Sequence, residues 1–291
     1  MLRSLLFLNL LFLTVPVLAQ SGRFSRPEAI QSFFSRKANP NKPLLLAHRG
    51  GPDPDETENS LQTFTQTYRQ LPEAILEMDV RMTADSVLTL LHDDELERTT
   101  TGTGSLKAKT WKELSQLPLR TLAGKPTRQK MPLFEAVLRW NANRAVLALD
   151  VKPGVDLTRV LRMVERHRAL NSVFVICYTV DDARKLRQQY PALWLALGFT
   201  TTADLEKLRQ AGFPLKNLIA LAPRQLQPGE FYEAFRRAGI PVSVGTYGAG
   251  NPDEQPMTTA EALYRQYARQ GADILTTDRP LAVAALFEEK N

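Results

Sequence analysis

One cysteine, Cys177, is present among 291 residues. No internal disulfide is therefore possible, and no CxxC or Cys/His spacing offers a zinc site. Cys177 lies in the apolar run VFVICY, where a thiol packs as a small hydrophobe. No GxGxxG follows the first apolar run, which removes the commonest dinucleotide-binding sheet. There is no long Lys/Arg run and no nucleic-acid motif, and the formal charge of +6 is scattered along the chain. Such a balance fits anionic small molecules or anionic surfaces, with no nucleic acid as partner. The apolar share of 43% and the length allow one large domain or two small ones.

Arg3 precedes a nearly unbroken apolar run over residues 5–13, and Val17, Leu18 and Ala19 form a small-residue cleavage pattern before Gln20. This is the layout of a signal peptide over residues 1–19. Asn9, Pro16 and the short length argue against a span of about 20 apolar residues. No cysteine at the cleavage point offers a lipid anchor. The mature chain is expected to be secreted or periplasmic in a bacterium, with no stable membrane insertion. Residues 20–43 are polar and read as a leader, with a short helix over 27–35.

The chemistry concentrates in residues 74–94, AILEMDVRMTADSVLTLLHDD. Strand side chains alternate faces, so Glu77 and Asp79 point the same way. Acids at i and i+2 commonly mark the solvated face of an edge strand. Here Ile75, Leu76, Met78 and Val80 surround them, which predicts a strand buried on both sides, where an unpaired carboxylate is costly. If the two apolar runs pair as a hairpin around Ala84 and Asp85, position 77 falls opposite His92. Such a patch suits a hard divalent cation beside a proton-transfer group. Six residues are too few for a parallel crossover, so the region is either a local hairpin or an irregular return.

Around this stretch, short apolar runs alternate with amphipathic segments. Strands are expected at 44–47, 145–151, 173–178, 193–197, 218–221, 242–245 and 273–275, each after the first few preceded by a helix. With nine strand-like runs, the pattern predicts an α/β fold, best a (β/α)8 TIM barrel over residues 44–291. A doubly wound open sheet is the alternative. Residues 94–130, rich in Thr and Gly, form a small insertion after the third strand. In a barrel the C-terminal strand ends carry function. They hold His48 and Arg49, Glu77 and Asp79, His92 and Asp93, Asp150 and Lys152, Thr246 and Tyr247, and Thr277 and Asp278. His167, set between Arg166 and Arg168 in a helix, is given a surface role.

Several motifs now carry a resemblance. AHRGG (47–51), ENS (58–60), LEMDVRMTADSVLTLLHDD (76–94), LERTTTGTGSL (96–106), LDVKP (149–153) and GADILTTDRP (271–280) resemble those of glycerophosphodiester phosphodiesterases. The resemblance implies a divalent cation, Ca²⁺ or Mg²⁺, on Glu77, Asp79 and Asp150. It implies an acid/base pair of His48 and His92, with Arg49 on the phosphate and Lys152 as a second positive group. Glu58 and Asn59 match the family's EN, for substrate contact or loop support. The implied reaction is hydrolysis of a small-molecule glycerophosphodiester, such as glycerophosphocholine, to glycerol 3-phosphate and an alcohol. A glycerol hydroxyl attacks first and water opens the cyclic phosphate; either histidine can begin as the base. Alternatives on the same scaffold are a phospholipase of the phosphatidylinositol-specific C or sphingomyelinase D kind, and a non-catalytic phosphodiester-binding barrel. Two departures stand out. The fourth-strand acid, usually Glu, is Asp150, and a late strand that often reads WTVN is VGTYGAG (244–250).

Overall fold

Nine strand-like runs cannot all join an eightfold barrel, and the chain resolves this by folding one of them back. The computed structural model describes residues 22–35 and 42–288; the expected signal peptide lies outside them. In chain order come α1 (Pro27–Phe34), β1 (Leu44–Ala47), α2 (Leu61–Gln70), β2 (Ile75–Met82) and β3 (Leu88–Leu90). The insertion follows with α3 (Trp111–Leu114), β4 (Pro118–Arg120) and β5 (Pro126–Lys130). Then come α4 (Phe134–Asn141), β6 (Leu147–Val151), α5 (Leu157–Arg166), β7 (Val173–Cys177), α6 (Val180–Gln189), β8 (Trp194–Gly198), α7 (Thr202–Gln210), β9 (Leu218–Ala222), α8 (Gly229–Arg237), β10 (Val242–Gly245), α9 (Met257–Gln270), β11 (Ile274–Thr277) and α10 (Pro280–Leu286).

β1, β2 and β6 to β11 are parallel, and β1 pairs with both β2 and β11, so the sheet closes into a (β/α)8 barrel. β3 is the ninth strand. It pairs antiparallel with β2 outside the closed ring. The register is Val80 with Leu90 and Arg81 with Thr89, continued by Leu91 N–H on Asp79 O. This corrects the expected alignment by one residue: His92 does not face position 77. The turn is longer than a two-residue hairpin, with Thr83 N–H on Val87 O and Ser86 at φ +63°.

The barrel strands are apolar on both faces because each face meets a different core. Leu76, Met78, Val80, Leu147 and Leu149 face the helices. Ile75, Val146, Ala148, Phe174, Trp194, Ile219 and Ile274 fill the lower barrel. Glu77 and Asp79 follow Ile75 on the inward face, above this apolar plug. The insertion carries its own small core of Leu91, Leu96, Leu106, Leu114, Leu119 and Met131.

The polar leader also contributes to the barrel. Phe24 and, on α1, Ile30, Phe33 and Phe34 close the end of the barrel opposite the site. Phe34 lies 4.6 Å from the Trp194 ring and 5.9 Å from Phe174. Phe34→Ala is expected to cost about 3–5 kcal/mol, the usual range for a buried aromatic. Chemical denaturation measures it; a loss under about 1 kcal/mol would mean that α1 packs without stabilising.

Candidate active site

Parallel pairing of β2 with β6 sets Asp79 beside Asp150 and Glu77 beside Ala148. Oxygens of Glu77, Asp79 and Asp150 all lie within 4.8 Å of one another. Glu77 and Asp79 are only 3% and 1% exposed. Lys152 Nζ bridges two of the three, at 2.6 Å from Asp79 Oδ1 and 2.6 Å from Asp150 Oδ2. Burial pushes Asp79 up, but Lys152, then His92 and Asn59, bring it below its ordinary value. Glu77 has less relief. Burial, then Asp79 and Asp150, drives its carboxyl well above the usual range, and the Arg49 N–H and Lys152 offset only part of this. Three carboxylates face one ammonium and an Arg49 guanidinium shared with Glu58, which leaves negative charge for a divalent cation to balance, and all donors are hard oxygens. The three residues therefore fit a divalent metal.

The loop after β1 is shaped around this triad. Arg49 has φ +53°, in the left-handed region, and this turn aims its backbone N–H at Glu77 Oε2, 2.7 Å away. Strain of this kind persists where the surroundings over-determine it. Asn59, also at φ +53°, clamps Asp79 twice: Nδ2 donates to Asp79 Oδ2 at 2.7 Å, and Asp79 N–H donates to Asn59 Oδ1 at 3.0 Å. Ser60 caps α2 through the Thr63 N–H. Glu58 accepts from Arg49 Nη1 at 3.1 and 3.3 Å. Arg49 Nε is buried without a hydrogen-bond acceptor, 3.8 Å from Asp79 Oδ2.

Both mouth histidines are tethered alike. His48 Nδ1 lies 2.6 Å from Asp278 Oδ1, and His92 Nδ1 lies 2.6 Å from Asp93 Oδ1. An ionised carboxylate only accepts, so each Nδ1 carries the proton and each Nε2 is left for other work. The His48 ring stacks on Tyr247 at 4.0 Å and 16°. Arg81 holds the chain under His92 by donating to its carbonyl at 2.5 and 3.2 Å. Two carboxylate-tethered imidazoles thus share the C-terminal mouth of the barrel with a buried acidic triad.

The sequence model of the Glycerophosphoryl diester phosphodiesterase family matches residues 48–282. The chain belongs to this family. A glycerophosphodiester phosphodiesterase of Caldanaerobacter subterraneus is 24% identical over 163 residues, 54% of this chain and 66% of that protein. Glycerophosphodiester phosphodiesterase 1 of Bos taurus is 31% identical over 150 residues, 49% and 45% of the two chains. The chain thus spans about half to two-thirds of the length of such relatives. Solved structures align more fully. A glycerophosphoryl diester phosphodiesterase of Parabacteroides distasonis superposes with TM-score 0.83 at 29% identity, covering 91% of this chain and 93% of that one. A phosphodiesterase of Oleispira antarctica, solved with sn-glycerol-3-phosphate, has the same fold at TM-score 0.68 and 18% identity, covering 85% and 98%.

Within this family member, the strand-end candidates His48, Arg49, Glu77, Asp79, His92, Asp150 and Lys152 stand at one mouth, and further residues join them. Asp150, where the family usually has Glu, is gripped from both sides: Lys152 on Oδ2 and the Tyr178 hydroxyl on Oδ1 at 2.6 Å. Asp253 accepts from Thr246 and Thr277 hydroxyls, from Tyr264 and from the Asp278 N–H, and so fixes the loop that presents Asp278 to His48. Neither Tyr178 nor Asp253 follows a motif of its own, and neither was among the strand-end candidates; its place at the end of the expected strand 173–178 is the one signal that could have found Tyr178.

Arg98, from the insertion, joins the two halves of the mouth. It donates to Glu58 at 2.7 and 2.8 Å and to Asp93 at 2.6 and 3.1 Å. Burial opposes the Asp93 charge, yet Arg98 and His92 hold its carboxyl well below the usual carboxylate range. Arg98→Ala is expected to lower kcat/KM about 10- to 100-fold by loosening Glu58 and Asp93 together. Added guanidinium should recover part of the loss; no loss at all would count against the bridge.

Proposed function

We propose that this chain hydrolyses glycerophosphodiesters to glycerol 3-phosphate and an alcohol, with Ca²⁺ or Mg²⁺ held by Glu77, Asp79 and Asp150. The observation that carries this reading is the pair of carboxylate-tethered histidines, His48 and His92, at the mouth that holds the acidic triad. Phosphodiester cleavage needs a base for the attacking hydroxyl, an acid for the leaving alcohol and positive charge on the phosphoryl oxygens. One histidine takes the proton of a glycerol hydroxyl as its oxygen bonds to phosphorus. The other protonates the departing alcohol oxygen. In the second half the roles reverse, and water opens the cyclic phosphate. A bound divalent cation would add charge stabilisation at the phosphoryl oxygens. Arg49 Nε and Lys152 supply positive charge from the chain itself. The product seen with the Oleispira antarctica phosphodiesterase is consistent with this substrate class.

The deciding assay is turnover of glycerophosphoglycerol by the purified chain, with EDTA and then with added Ca²⁺ or Mg²⁺. Release of glycerol 3-phosphate that chelator stops and metal restores is the expected result. No release with either metal would sink the reading. The signal pattern of residues 1–19 further supports export to the periplasm or medium, which cell fractionation tests. Among the described residues no helix is long and apolar enough to cross a membrane.

A further inference from the structure

The altered segment after β10 builds something on the lip of the mouth. Tyr247 turns back over the strand end, and its ring occupies the space above Gly245. A Cβ at Gly245 would meet Tyr247 Cε1 at 2.9 Å, so only glycine lets the ring lie there. The His48 ring stacks on Tyr247 at 4.0 Å. The Arg224 guanidinium, from the loop after β9, lies over the same ring at 4.5 Å. Both groups thus lie against the one Tyr247 ring. Gly248 makes room for the guanidinium: a Cβ there would stand 2.9 Å from Arg224 Nη1. Two glycines thus accommodate one tyrosine and one arginine beside a histidine of the site.

Arg224 is exposed, and among the described residues it forms no ion pair. Four other cations at this mouth behave differently: Arg49, Arg81, Arg98 and Lys152 each pair with carboxylates. Arg224 is therefore a fixed, accessible positive charge one ring away from His48.

We propose that Arg224 is a head-group subsite, selecting glycerophosphodiesters whose alcohol carries a second negative charge. The inference rests on the phosphodiesterase reading and names its substrate class. A guanidinium binds phosphate or carboxylate through paired N–H donors, and a nearby cation repels a quaternary ammonium. The Tyr247 ring offers choline little, because His48 and Arg224 already lie against it. The subsite thus favours an anionic head group, then a neutral one, and places choline last.

The test compares three diesters on the metal-loaded enzyme: glycerophosphocholine, glycerophosphoglycerol and glycerophosphoglycerol phosphate. The expected order of kcat/KM rises from the cationic to the anionic head group. Arg224→Gln should cut the anionic-to-neutral ratio about tenfold, while Arg224→Lys keeps most of it. An unchanged ratio in Arg224→Gln, or choline turned over as fast as the anionic diester, overturns the subsite. Calorimetric binding of the same three compounds to metal-loaded His92→Ala protein reads the order without turnover. Failure of the wild-type enzyme to cleave any of them would then remove the phosphodiesterase reading, while the binding order still decides the role of Arg224.

Discussion

Replacing either His48 or His92 by alanine is expected to lower kcat by about 10²–10⁴-fold while the protein stays folded. That is the range that a positioned acid or base contributes. His48 side-chain exposure is 12% and that of His92 is 35%, so neither is a core-packing residue whose loss would unfold the barrel. Steady-state kinetics with circular dichroism separates the two outcomes. Because each histidine takes part in both half-reactions, the double variant should be only slightly worse than either single one. Asp278→Asn and Asp93→Asn should cost less, since each removes a tether and leaves the ring in place. Full activity in either alanine variant would remove the acid/base assignment.

How much of this was legible follows from how far each feature depends on local chain. Glu77 and Asp79 share a face by strand geometry alone, and their apolar flanks predicted burial. The βα alternation predicted the closed barrel, because each strand and helix carries its own period. The off-by-one hairpin register arose from turn length: Ser86 in a left-handed conformation adds a residue that a two-residue turn lacks. The tether from His48 to Asp278 joins residues 230 apart in sequence. Only closure of β1 against β11 brings them together, and no local pattern encodes that contact. Arg98 belonged to a recognised motif, but its bridging of Glu58 and Asp93 needs the insertion to fold back over the mouth. The aromatic plug on α1 was hidden for a different reason. Its phenylalanines are spread through a polar segment, and their burial is set by the barrel end they cover.

Glu77→Gln is expected to separate metal binding from folding most cleanly. The amide keeps an oxygen that can accept the Arg49 N–H, now 2.7 Å from Glu77 Oε2, and removes only the charge. Divalent-metal affinity should fall by at least about 100-fold, read by calorimetry, because one of three anionic donors becomes neutral. Turnover should fall with it. Stability of the metal-free protein should move the other way. Burial, Asp79 and Asp150 raise the folded-state value for Glu77 well above 4.5. A raised group contributes stability that is full below its unfolded value and is lost as pH rises through its folded value. Metal-free wild-type protein should therefore lose stability, relative to Glu77→Gln, as pH rises above 4.5. The variant should melt higher near pH 7, by roughly 2–4 °C for each kcal/mol of repulsion removed. Saturating metal should reverse the order, since only the wild type gains binding energy on folding. Equal melting curves without metal and equal affinities with it would show that Glu77 is not part of a metal site.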